Sequence, residues 1–351
     1  MKPPGPARGR TVVHLSNSEM GGAERSLLAA LAAEAAGSET PAIPPLFLVP
    51  REGPMSAEIA ARGWESAVLP WPRGFASLTQ GRWFALPLLP GLLPYLIRLA
   101  RALGGADRIW SSGAKSHAAC LALSPWLRGR LLFDLRDFLR SAALRKAIAF
   151  AARRFGCAVA ANSKAVAADY PGAHVVYPRV SLARPPADRR DPAGKRIVSH
   201  LAFFAPYKGQ DLFLQCARAL VDAGVDAEFW LIGDVIYPAS AYARYRDEVY
   251  AQAARLRLES RVRFLGNVPG VEVQELLERT HLLLHCTREP EPYGRAPMEA
   301  LLCGCEVICQ AGSGVCETTE TSPELPAWAS ALGPVLGPGY VALSLPRGKP
   351  A

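Results

Sequence analysis

The chain has 351 residues, half of them hydrophobic and a fifth charged, a globular balance of sufficient length for two domains of ordinary size. A net charge of +9 favours anionic partners, and the lack of any recognisable binding module or aromatic–basic repeat excludes nucleic acid from them. Ahead of Thr11 there is no apolar core of a signal peptide, so the eight scattered cysteines read as free thiols in a reducing cytoplasm.

In chain order, Thr11–Leu15 reads as a strand, Ser16–Gly22 as its loop and Ala23–Ala36 as a helix with Gly37 beyond its end. Further strands are expected at Pro45–Val49, Ser66–Leu69, Arg108–Trp110, Arg130–Asp134, Ala158–Ala160 and Val175–Val176. Between them, Phe84–Ile97 is uncharged but only 14 residues long and is interrupted by Pro87, Pro90 and Pro94, too short and too broken for a spanning helix. It reads first as a buried helix. A second reading makes it an interfacial patch in which Trp83, Phe84, Tyr95, Arg82, Arg98 and Arg101 rest on an anionic membrane surface.

Residues 1–180 thus form one α/β domain, and the Pro-, Arg- and Asp-rich residues 181–195 form a linker. The second domain, 196–320, opens with strand Arg196–Leu201, a loop through Lys208, and helix Asp211–Ala223 ended by Gly224. Strands Glu228–Ile232, Val262–Leu265, Leu282–Cys286 and Glu306–Cys309 follow. Strands alternating with helices imply two parallel sheets covered by helices. Residues 321–351 form a tail rich in Pro, Gly and Ser with weak periodicity, in which no element is expected.

Ligands of open α/β sheets bind beyond the carboxyl ends of the strands, where Lys208, Asp234, Glu291 and Glu299 are all expected to fall. Glu291-Pro-Tyr-Gly-Arg-Ala-Pro-Met-Glu299 sets two carboxylates on either side of a glycine turn, with Pro297 at the first helical position and Gly304 closing the helix. The unpaired N–H groups of that helix start favour an anion between the two acids. Lys208, before the turn residue Gly209, is a mobile point cation suited to a diphosphate and to charge growing on a leaving group. Gly21 and Gly22 allow close approach of the backbone to a ligand at the start of a helix. Lys115 and His117 are candidates for an acceptor pocket. Cys303, Cys305, Cys309 and Cys316 lack the paired spacing of a zinc site, and no D-x-D motif occurs, so no metal is expected.

These residues resemble the E-x7-E motif of retaining glycosyltransferases, most closely glycosyltransferase family 4. Gly21-Gly-Ala-Glu24, Asn162-Ser-Lys164, Lys208-Gly-Gln-Asp211, Ile232-Gly-Asp234 and Phe264-Leu-Gly266 fall in the order that family shows. The resemblance implies the GT-B fold, two Rossmann-like doubly wound domains with the active site in the cleft between them. It implies Lys208 and Glu291 as catalytic groups, Glu291 beside the donor sugar and Glu299 on the ribose hydroxyls. Donor contacts would also come from Gly21, Gly22, Gly233, Asp234, Gly312 and Gly314, and Asp137 would stand on the acceptor side. Five residues before the lysine, where the family carries an arginine that clamps phosphate, this chain has Phe203.

The implied activity is metal-independent transfer of a sugar from a nucleotide-diphosphate sugar, a co-substrate and not a cofactor, to a glycan or lipid-linked acceptor of cell-envelope polysaccharide type. Two alternatives stay open: a degenerate homologue that binds a sugar nucleotide or a partner without turnover, and a sugar-nucleotide epimerase on the same fold.

Overall fold

The computed structural model describes residues 9–36, 43–73, 91–191, 194–236 and 240–346. They form two compact units, Met1–Pro178 and Arg179–Ala351. Residues 84–90, half of the Phe84–Ile97 stretch, lie outside the described residues, as do Arg82 and Trp83.

In the first unit, β1 (Thr11–Leu15), α1 (Gly22–Ala36), β2 (Leu46–Val49), α2 (Pro54–Ala61), β3 (Glu65–Val68) and α3 (Leu92–Leu103) lead to β4 (Arg108–Ser112). Then come α4 (Ala114–Leu123), β5 (Leu131–Leu135), α5 (Ala142–Phe155), β6 (Ala158–Ala161), α6 (Lys164–Ala167) and β7 (His174–Val175). All strand pairs are parallel, in the order β3-β2-β1-β4-β5-β6-β7. The order reverses between β1 and β4, the point at which doubly wound sheets bind ligands.

Both faces of this sheet are covered, so its strands carry apolar residues in continuous runs. Leu46 and Leu48 of β2 pack with Tyr95, Leu99 and Leu103 of α3, whereas Phe47 and Val49 pack with Leu27 and Leu28 of α1 and Met55 and Ile59 of α2. The period of two between opposite faces is that of an extended strand.

The second unit runs β8 (Arg196–Leu201), α7 (Gln210–Asp222), β9 (Ala227–Ile232), α8 (Ser240–Arg255), β10 (Val262–Gly266), α9 (Gly270–Arg279), β11 (Leu282–His285), α10 (Arg295–Leu302) and β12 (Glu306–Gln310). The first five strands are parallel in the order β10-β9-β8-β11-β12, reversing between β8 and β11.

Where weak periodicity had given no element, the tail supplies four. Two strands, β13 (Glu320–Ser322) and β14 (Tyr340–Ser344), flank a 3₁₀ turn over Ala327–Leu332 and α11 (Gly333–Leu336). Strand β14 pairs antiparallel with β12 and β13 with β14, extending the sheet to seven strands. Ala329, Leu332, Leu336 and Tyr340 enter the core that holds Phe213, Leu214 and Leu220 of α7. The backbone of an antiparallel edge needs no crossover helix, and its buried side chains are too widely spaced to show a helical or strand period.

The described residues between β7 and β8 carry no regular element but are fastened to α9. Glu278 is fully buried and accepts both guanidinium nitrogens of Arg184 at 2.7 Å, the Ala187 amide at 3.1 Å and Gln274 at 3.0 Å. A buried carboxylate is tolerated here because each oxygen has charged or amide donors.

Three buried histidines, His14, His117 and His200, have their pKa values lowered from 6.5 to about 3, chiefly by desolvation. In the unfolded chain each takes a proton near pH 6.5, so unfolding binds protons below that pH. Stability is therefore complete above about pH 6.5 and falls as pH drops towards 3, by about 1.4 kcal/mol per histidine per pH unit. Urea unfolding at pH 7 and pH 5 measures the difference. The expected result is a loss of about 2 kcal/mol per buried histidine between the two pH values.

Candidate active site

The chemistry of the second unit gathers at its reversal point. Strand β8 ends at Leu201 and its loop delivers Lys208 on a 3₁₀ turn, Pro206–Lys208. Strand β11 ends at His285, and its loop delivers Glu291 ahead of α10. The Lys208 Nζ donates to Glu291 Oε1, and both side chains are largely buried, 16% and 14% exposed. On the other carboxylate oxygen, His285 Nε2 lies 3.1 Å from Oε2.

Two backbone constraints hold this arrangement. Gly209 has φ +73°, and a Cβ there would meet the Cys286 carbonyl oxygen at 1.9 Å, so the β8 and β11 loops touch through a position only glycine fits. Gly233, at φ +124°, presses as closely on the Ala202 carbonyl at 2.2 Å and brings the β9 loop beside that of β8. Glu291 is clamped to the glycine loop: its amide donates to Ser313 Oγ at 3.0 Å and its carbonyl accepts from Gly314 at 3.0 Å. The Val315 amide donates to the Tyr293 carbonyl at 2.6 Å, and Gly312 makes the turn at φ +80°.

Burial opposes ionisation of Glu291, but Lys208 first and then His285 outweigh it and hold the carboxyl well below the usual range. Glu291 is thus an anion at every pH near neutrality. It can accept hydrogen bonds or offset positive charge, and it has no proton to donate. Several buried polar atoms close to this pair in sequence make no hydrogen bond: Nδ1 of His285, Nε2 of His200, Oε1 of Gln210 and Oγ1 of Thr287.

Helix α10 begins at Arg295 behind Gly294, which puts Pro297 at the third helical position and not the first; proline has no clash there either, since an N–H in the first turn lacks an intrahelical acceptor. Glu299 sits one turn in and accepts from Arg295 at 2.9 Å. Glu289 is exposed. Asp234 accepts from the Val235 amide at 2.7 Å and faces Arg246 at 3.6 Å. Phe203 occupies the position of the expected arginine, with Lys208 Nζ 5.3 Å from its ring centre, a cation–π contact instead of a second phosphate donor.

In the first unit, the motif Gly21-Gly-Ala-Glu24 is a helix cap. Glu24 accepts from the Gly21 amide at 3.0 Å and from Asn17 at 3.1 Å, which leaves the start of α1 defined at Gly22. Lys115 lies in the first turn of α4, with its pKa lowered by burial. His117 is 1% exposed and its Nδ1 is bound to Ser111 Oγ at 2.7 Å. Its ring is part of the core beside Phe133, so the pattern of a cation facing solvent next to Lys115 is replaced by a packed neutral imidazole. Asp137 is exposed and accepts from the Phe138 amide at 2.8 Å.

Sequence reasoning missed His285, Ser313 and Arg295. His285 falls inside an apolar strand, where a lone polar residue on a doubly covered sheet was the available signal. Ser313 and Arg295 lie within motifs whose neighbours had already been chosen. Among the described residues no group of three or more His, Cys, Asp or Glu side chains comes together as a metal would require.

Residues 186–321 match the family Glycosyl transferases group 1. HepE of Anabaena, solved with UDP and glucose, is similar over 93% of this chain and 88% of its own, with a TM-score of 0.69 and 22% identity. Sucrose-phosphate synthase of Thermosynechococcus elongatus gives 0.68 and 17% over 93% and 88%. WaaG, a glycosyltransferase involved in lipopolysaccharide biosynthesis, gives 0.59 and 15% over 87% and 82%. No curated protein matches the chain.

Replacing Lys208 with Met leaves the Glu291 carboxylate buried with one partner fewer. The expected cost is about 1–3 kcal/mol in urea unfolding, while the double change with Glu291→Gln recovers part of it. Equal losses that simply add would mean that the two side chains are not coupled.

On these observations the chain has the GT-B fold, and residues 186–321 of its second unit match the family model of the glycosyl transferases group 1.

Proposed function

We propose that the protein is a retaining family 4 glycosyltransferase that moves a sugar from a nucleotide-diphosphate sugar to a glycan or lipid-linked acceptor of cell-envelope polysaccharide type. The observation that carries this reading is the Lys208–Glu291 pair, held by glycine-only contacts at the reversal point of the second sheet. The solution of HepE with UDP-glucose supports a nucleotide sugar, and the role of WaaG in lipopolysaccharide biosynthesis supports the acceptor class.

In this reading the second unit binds the donor. The diphosphate draws Lys208 away from Glu291 and lies beside the Gly312–Gly314 loop, while Glu299 turns from Arg295 to the ribose hydroxyls. Lys208 then stabilises the charge that grows on the leaving diphosphate. Glu291 serves as an acceptor in this reading. It accepts hydrogen bonds from the sugar and lies beside the carbon that becomes positive, while a phosphate oxygen takes the acceptor's proton on the face that the nucleotide leaves. No metal takes part. Gly233 and Asp234 complete the donor contacts.

The first unit would meet the acceptor through Lys115 and Asp137, with His117 acting as support from the core, and would give Gly21 and Gly22 to the donor. No helix among the described residues is long and apolar enough to cross a membrane. Leu93 and Ile97 of α3 are 70% and 43% exposed on the helix that also carries Arg98 and Arg101, which supports peripheral work at the cytoplasmic face of an anionic membrane. A second reading, a homologue that binds without turnover, is favoured by Phe203 alone.

The test is release of nucleoside diphosphate from UDP-, GDP- and ADP-sugars in the presence of envelope glycolipids. Turnover of one donor is expected, with a drop in kcat/KM of about a hundredfold or more in Glu291→Ala. Tight donor binding without turnover would establish the second reading.

A further inference from the structure

Seven of the eight thiols are buried, and Cys316 alone is partly open to solvent. It sits in the 3₁₀ turn Gly314–Glu317, with its Sγ 3.9 Å from that of Cys309 on β12. The Cys309 thiol, then the backbone amides of Gly312, Cys316 and Ser313, favour a thiolate at Cys316 against the cost of burial and lower its pKa. Cys309 responds in the opposite direction, held protonated by Cys316 and by burial. One sulfur is therefore partly open to solvent, and the other is a buried thiol within reach.

We propose that Cys316 and Cys309 form a peroxide-sensitive thiol pair that closes to a disulfide. The Cys316 thiolate attacks one oxygen of a hydroperoxide, the O–O bond breaks, and Cys316 becomes a sulfenic acid while water or an alcohol leaves. The Cys309 thiol gives up its proton and attacks Cys316 sulfur, forming the S–S bond and expelling the sulfenic oxygen as a second water. Two thiols lose two electrons and the peroxide gains them. A disulfide needs about 2 Å between the sulfurs, a gap that side-chain rotation and movement of the turn towards β12 together close.

That motion reaches the site described above. The same turn holds Glu291 through Ser313 and Gly314, and Tyr293 through Val315. Closing the disulfide shifts the clamp on Glu291, whatever the group is used for, so the pair connects oxidation state to the shape of the loop. The proposal stands independently of sugar transfer.

The experiment treats the folded full chain with hydrogen peroxide, blocks remaining thiols with iodoacetamide and maps peptides by mass spectrometry. The expected product is a dithiothreitol-reversible Cys309–Cys316 peptide pair about 2 Da lighter than the sum of its thiols. Cys309→Ser should stop at a sulfenic acid on Cys316 that dimedone traps, and Cys316→Ser should leave Cys309 reduced. In the untreated protein Cys316 should alkylate at least about tenfold faster than the other seven thiols. Wild-type protein in which both cysteines remain thiols, or in which either joins a different cysteine, overturns the proposal without recourse to the variants.

Discussion

The Lys208–Glu291 ion pair is the constraint on which the rest of the second unit depends. An anion and a cation share a largely buried position, and each is tolerable there only because the other is present. Their meeting requires the loops after β8 and β11 to pack backbone against backbone. The contact of Gly209 with the Cys286 carbonyl provides that, and no side chain could replace it. The clamp from Ser313 and Gly314 then fixes the Glu291 backbone from the third side.

The tail fits the same logic. Residues 320–344 form the far edge of the sheet that carries the site and supply Leu332, Leu336 and Tyr340 to the core under α7. Tyr340 also donates to the Thr287 carbonyl at 2.6 Å, between His285 and Glu291. The Pro- and Gly-rich composition therefore belongs to the scaffold of the site.

Much of the fold was legible because parallel strands covered on both faces produce apolar runs, such as Leu282–Leu284 and Phe229–Ile232, bounded by polar residues or glycine. The tail was not legible, since its short strands are defined by pairing with β12 and not by their own sequence. In the site, Lys208 and Glu291 could be found from position after a strand, and the structure brings them together. His285 could not, because its significance arises from a carboxylate six residues on. His117 shows the opposite failure: next to Lys115 in sequence, it points into the core, where desolvation keeps it neutral. Local spacing reports which face of an element a residue occupies only when the period is clear, and the first turn of α4 does not supply one.

The cation–π contact of Phe203 with Lys208 separates this chain from the sequences it resembles. An aromatic ring there packs against the lysine and offers no donor to phosphate, so the proposed diphosphate contact rests on Lys208. Calorimetric titration of UDP, GDP and ADP into the protein and into Lys208→Met tests this most directly. The account predicts that one nucleotide binds the wild type and that its affinity falls at least about tenfold in the variant, the loss of one charged hydrogen bond. Equal binding to both proteins, or no binding of any nucleotide by the folded wild type, would contradict it.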